Sequence, residues 1–152
     1  MYQKNVGIPK ISILCSLFAV SFLNVVVPAF AEFKSQPAPE GAEAYIISPK
    51  DGDTVSDPFT VTFGLKGFGV APAGTDNPMT GHHHLLIDVD TLPPLDRPLP
   101  ATDNIKHFGG GQTETTLSLP KGPHTIQIVL GDYLHIPHTP PILSKKISIT
   151  VK

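Results

Sequence analysis

The chain has 152 residues, a mass of 16.2 kDa and a formal charge of −2. That is one domain's worth of protein, too short for a βα barrel of roughly 250 residues. Its 17 prolines and 13 glycines are poor material for a helical bundle, and a pI of about 6.4 supplies no basic field for nucleic acid or acidic lipid.

At the start of the chain, Lys4 and Lys10 accompany a mainly apolar run from Ile11 to Val27. Pro28 breaks the run, and Ala29-Phe30-Ala31 sets small residues before Glu32. This order predicts a secretory signal peptide over residues 1–31, removed by cleavage, with no membrane attachment afterwards. A retained membrane anchor is the competing reading, since the run is near the lower limit for spanning. Cys15 is the only cysteine and leaves with the signal, so the exported part offers no thiolate as nucleophile or metal ligand. All seven histidines follow the cleavage site. A periplasmic or secreted location is the expectation.

Residues 32–43 (EFKSQPAPEGAE) read as a polar tether, and residues 44–152 as the domain. Ala44 to Ser48 is a short apolar run stopped by Pro49-Lys50-Asp51-Gly52. Phe59 to Leu65 alternates strictly, with Phe59, Val61, Phe63 and Leu65 on one face. A glycine-bearing loop leads to the run His82 to Val89, and Leu92 to Pro100 holds too many prolines for a sheet ladder. His107-Phe108 precedes Gly109-Gly110-Gly111, and alternation resumes through Thr115, Leu117 and Leu119. After the turn Pro120 to Pro123, Ile126, Ile128 and Leu130 point one way; a loop from Gly131 to Pro141 then leads to Ile147, Ile149 and Val151. Short strands with turn signals between them predict an all-β fold, an immunoglobulin-like antiparallel β-sandwich of about seven strands.

The histidines carry the chemistry. On a strand His82 and His84 share one face, about 7 Å apart at Cα, while His83 points to the other face with Leu85 and Ile87. In the sandwich topology the loop before His82 and the loop carrying His135 and His138 lie at the same end, and Gly109–Gly111 brings His107 there. His124 falls at the far end and reads as structural. The expected metal ligands are therefore His82, His84, His107, His135 and His138, with His83 and Asp132 as second-shell supports. Neutral imidazoles suit copper or zinc. Asp88 and Asp90 read as solvated or turn-forming. Ser118 and Ser144 lack a nucleophile-elbow motif, which argues against a serine hydrolase, and no catalytic residue is assigned.

Three strings stand out: Gly81-His-His-His-Leu-Leu-Ile-Asp88, then His107-Phe-Gly-Gly-Gly-Gln-Thr-Glu-Thr115, then Gly131-Asp132 with His135 and His138. Together they resemble an uncharacterised family of small exported bacterial proteins, a domain of unknown function, with the likeness running from about Ala44 to Lys152. The resemblance implies a secreted or periplasmic β-rich domain and supplies no activity. The functional expectation is a metal-binding carrier, buffer or sensor. The alternative is a non-enzymatic module that binds an envelope protein or small ligand. A metal-dependent enzyme stands third, with only Glu114 or Asp132 as general base.

Overall fold

The computed structural model describes residues 34–152; the expected signal peptide and its cleavage site lie outside the described residues. Nine strands and no helix occur among the described residues: β1 (Glu43–Ser48), β2 (Thr54–Val55), β3 (Phe59–Lys66), β4 (Gly69–Val70), β5 (Thr80–Ile87), β6 (Ile105–His107), β7 (Glu114–Leu117), β8 (Gly122–Gly131) and β9 (Ile147–Val151). They form two sheets, one of order β1-β3-β7 and one of order β2-β9-β8-β5-β4, with β6 pairing β5. The all-β sandwich expected from alternation is therefore present. Two of its pairings, β2 with β9 and β4 with β5, are parallel rather than antiparallel. Each involves two residues, too few to leave an alternating pattern in the sequence.

The core between the sheets follows the period of two. Phe59, Val61 and Phe63 of β3 and Leu117 of β7 face Leu85 and Ile87 of β5, Ile126, Ile128 and Leu130 of β8, and Ile149 and Val151 of β9. Phe108 leans against this core, its ring centroid 5.0 Å from that of Phe63.

A second apolar layer covers the outer face of the larger sheet. Leu86 and Val129 pack there with Leu99 and Ile105, and Leu92, Leu95 and Leu143 lean in. The proline-rich stretch forms no ladder, as expected, and serves instead as a lid over β5 and β8. Its Leu99 amide donates to the His135 carbonyl at 2.9 Å, fastening the lid to the loop after β8. Strand β5 is consequently buried on both faces from Gly81 to Ile87, which an antiparallel strand with one wet face would not be. That double burial keeps His82 and His84 out of water.

Within the expected tether, Gln36 and Ala38 exchange backbone hydrogen bonds with Thr139, so this part of it lies along the domain. Ser144 Oγ accepts from the Ile128 amide and donates to the Lys145 carbonyl, both at 2.8 Å, and Ser118 Oγ donates to Asp57 at 3.0 Å. Both serines are structural hydrogen-bonding groups with no histidine beside them in these contacts.

Candidate metal centre

Strand parity builds the first half of the site. His83, Leu85 and Ile87 face the inter-sheet core, so His82 and His84 point outward beside Leu86. Strand β6 places His107 directly opposite His84. Strand β8 places Gly131 opposite His82, and the loop that follows returns His135 over that glycine. The four imidazoles have ring centroids between 4.7 and 6.0 Å apart in all six pairings. One nitrogen from each lies within 4.8 Å of the other three. His82 Nε2 and His135 Nδ1 are 2.9 Å apart, a hydrogen bond with the proton on one of the two rings.

Two glycines make the room. A Cβ on Gly131 would sit 2.8 Å from His84 Cε1 and 3.2 Å from the His135 backbone. A Cβ on Gly109 would sit 2.4 Å from His107 Cε1. Any side chain at either position pushes an imidazole out of the cluster. The sequence signal for this was available, since Gly131 occupies the next outward position after Val129, but glycines at strand ends usually mark turns.

His135 adopts φ 69°, in the left-handed region that non-glycine residues seldom enter. Asp132 holds it there. One Asp132 carboxylate oxygen accepts from the Leu134 and Ile136 amides at 2.8 and 2.9 Å, and the His135 amide donates to the Asp132 carbonyl at 2.9 Å. Asp132 therefore shapes the loop through backbone amides, and none of its hydrogen bonds goes to an imidazole, where partnership with a histidine was expected. Backbone strain that persists under this many constraints is characteristic of functional sites.

Burial and mutual repulsion keep His82, His84 and His107 uncharged. Burial foremost, then the neighbouring His135 and His107, lowers His82 to a pKa of about 4. Burial foremost, then His82, His107 and His135, lowers His84 to about 3. His107 is also lowered, by burial and then by His135. Near neutral pH these rings therefore present lone pairs, not positive charge. The Nδ1 atoms of His82 and His84 are buried without a hydrogen-bond partner, and such an orphan costs about 1–3 kcal/mol.

A metal ion fits this donor set. Metal–nitrogen bonds of 2.0–2.1 Å place tetrahedral nitrogens about 3.4 Å apart, so the widest pair contracts by roughly 1.5 Å on binding, within reach of side-chain rotation. Four nitrogens without thiolate or carboxylate suit a first-row transition ion and not calcium or magnesium.

The remaining expected residues are placed elsewhere. His138 is not part of the cluster. It is buried against the edge of Phe68, centroids 4.9 Å apart, and its Cε1 lies 3.0 Å from where a Gly81 Cβ would be. Gly81 shares the face of His83, so β5 stands between His138 and the four rings. Both His138 ring nitrogens are buried and unpartnered, and burial lowers its pKa. His83 packs on Phe63 at 5.1 Å, and its Nδ1 lies 3.2 Å from the Gln112 carbonyl. Its own carbonyl accepts from the Phe108 amide, so His83 pins the segment that follows His107. His124 Nδ1 bonds Asp88 at 2.7 Å and its Nε2 bonds the Pro120 carbonyl at 2.8 Å. Asp88 raises its pKa; the structural role expected of His124 and the turn role of Asp88 are both seen. Glu114 lies in the three-stranded sheet opposite Thr62 and is not among the clustered groups.

The chain belongs to the family described as a domain of unknown function, DUF4399, whose profile matches residues 61–152. The match begins within β3, later than the sequence resemblance suggested, and contains all four clustered histidines. No curated protein and no solved structure matches the chain.

Proposed function

We propose that this DUF4399 domain is an exported protein that holds one zinc or copper ion between His82, His84, His107 and His135, as a carrier or buffer in the cell envelope. The observation that carries the reading is the convergence of four imidazoles from three chain segments, His82 and His135 being 53 positions apart. Only the tertiary fold unites them, and a fold without a ligand gains nothing from stacking imidazoles that repel when protonated. Four ligands complete a tetrahedron and leave no position for a reacting water, which favours holding an ion over hydrolysis. Affinity order ranks copper above zinc for such nitrogens. The order of charge, apolar run and small residues in positions 1–31 supports export.

Elemental analysis of untagged protein, followed by titration with zinc and with copper(II), tests the reading. One ion per chain is expected, with loss of binding in His84→Ala. Protein that takes up neither ion stoichiometrically refutes it and leaves the non-enzymatic interaction module in its place.

A further inference from the structure

The four rings are not equivalent. His82 and His84 are each 1% exposed, on a strand paired with β8 on one side and with β6 and β4 on the other. His107 is exposed, at the last residue of a three-residue strand, and His135 is half-buried in a short loop. Leu134, next to His135, is among the exposed large apolar side chains. Across β8, His84 faces Val129 and His82 faces Gly131, and Leu86 follows on the same face of β5.

This asymmetry sets a direction of exchange. His82 and His84, each buried, have no solvent to turn into, whereas an exposed imidazole rotates into water and recovers its hydration. We propose that the ion enters and leaves through the His107–His135 side by associative ligand exchange. An acceptor presenting nitrogen or sulfur donors displaces His107 first and the His82–His84 pair last. Each step breaks one metal–imidazole bond and forms one bond from the incoming lone pair, with no change of oxidation state. The buried pair thus acts as the anchor and the exposed pair as the gate. The inference rests on the metal-holding reading above and adds that the cargo is handed over directly, not released into solution.

The test uses zinc-loaded, untagged protein and a chromogenic pyridylazo-resorcinol chelator as acceptor, followed by stopped flow. The observed transfer rate is expected to rise linearly with chelator concentration, because the chelator takes part in the slow step. His107→Ala is expected to bind zinc more weakly, loading one zinc per chain only with the metal in excess, and to transfer it roughly tenfold faster; His107→Gln provides the same comparison if the alanine variant does not fold. A transfer rate independent of chelator concentration overturns the inference while leaving the metal-holding reading intact. So does a His107 variant that transfers no faster than the parent, or one that no longer binds zinc, since His107 would then not be the labile ligand. Failure of the unaltered protein to bind zinc or copper overturns both.

Discussion

Acid should unfold the metal-free domain earlier than its carboxylates alone would dictate. His82 and His84 have pKa values lowered by burial to about 4 and about 3, against 6.5 for the free side chain. Below pH 6.5 the unfolded chain therefore binds protons that the folded chain refuses, so stability falls as pH falls, and keeps falling until the folded values are reached. Between pH 6.5 and 5 each ring contributes a loss of about 1.6 kcal/mol, together about 3 kcal/mol. That figure hardly depends on the folded values, because at pH 5 both rings are still mostly neutral in the fold. Burial lowers His83, His107 and His138 as well, which acts in the same direction. Domains of this size have about 5–15 kcal/mol in total. Urea unfolding in EDTA at pH 6.5, 5.5 and 5 measures the effect, and with an m-value of about 1–3 kcal/mol/M the midpoint should drop by about 1–3 M. In the double variant His82→Gln/His84→Gln the share of these two rings, about 3 kcal/mol, should vanish and the share of the other buried histidines should remain. A midpoint that does not move between pH 6.5 and 5 would refute the burial of neutral imidazoles on which the centre is built.

Gly131→Ala should abolish stoichiometric zinc binding in a titration, with a stability cost of about 1–3 kcal/mol, because its methyl meets His84 and the His135 backbone. His138→Leu should leave zinc affinity within about twofold, a difference of roughly 0.4 kcal/mol, since β5 separates it from the cluster. His124→Ala should leave zinc binding unchanged; its effect on stability should be greatest below pH 6.5 and fade as pH rises through the raised folded pKa, where the parent loses the charged pairing with Asp88. Urea midpoints of parent and variant at pH 6 and pH 9 check the sign.

What the sequence disclosed follows from burial on one face. Phe59 to Leu65, Ile126 to Leu130 and Ile147 to Val151 each have one face in the inter-sheet core, and alternation reports that directly. Strand β5 is different, because residues 81–87 are buried on both sides. Parity still pairs His82 with His84, yet alternation alone does not say which face receives the lid, since the lid is an aperiodic stretch between Leu92 and Pro100. The histidine cluster was legible to one residue. His135 and His138 are three apart in a loop, and nothing in that spacing separates them. The left-handed turn at His135 and the bridge between Gly131 and Pro137 send His138 to the other side of the sheet. Such a turn depends on Asp132 capping two amides, which is visible only once the loop is folded.

The centre also sets local stability against function, and that conflict is measurable. Strand β5 places three consecutive histidines where valine or leucine would pack without orphaned polar atoms, and His135 occupies a backbone region costing about 1–3 kcal/mol. A natural sequence departs from local consistency of this kind mainly where a site requires it. Replacing the outward pair by apolar residues, His82→Val with His84→Leu, removes two buried unpartnered nitrogens and extends the layer of Leu86 and Val129. Each relieved orphan is worth about 1–3 kcal/mol, so the metal-free variant should be more stable than the metal-free parent by about 2–6 kcal/mol, and melt on the order of 10 °C higher. Zinc in large excess should narrow the contrast. At 100 times its dissociation constant it adds about 2.7 kcal/mol to the parent and nothing to the variant. Calorimetric melting of both proteins, with EDTA and with zinc, gives the four numbers required. A metal-free variant that melts below the parent would mean that the histidines are there for packing, and that the cluster's polar cost had been misjudged.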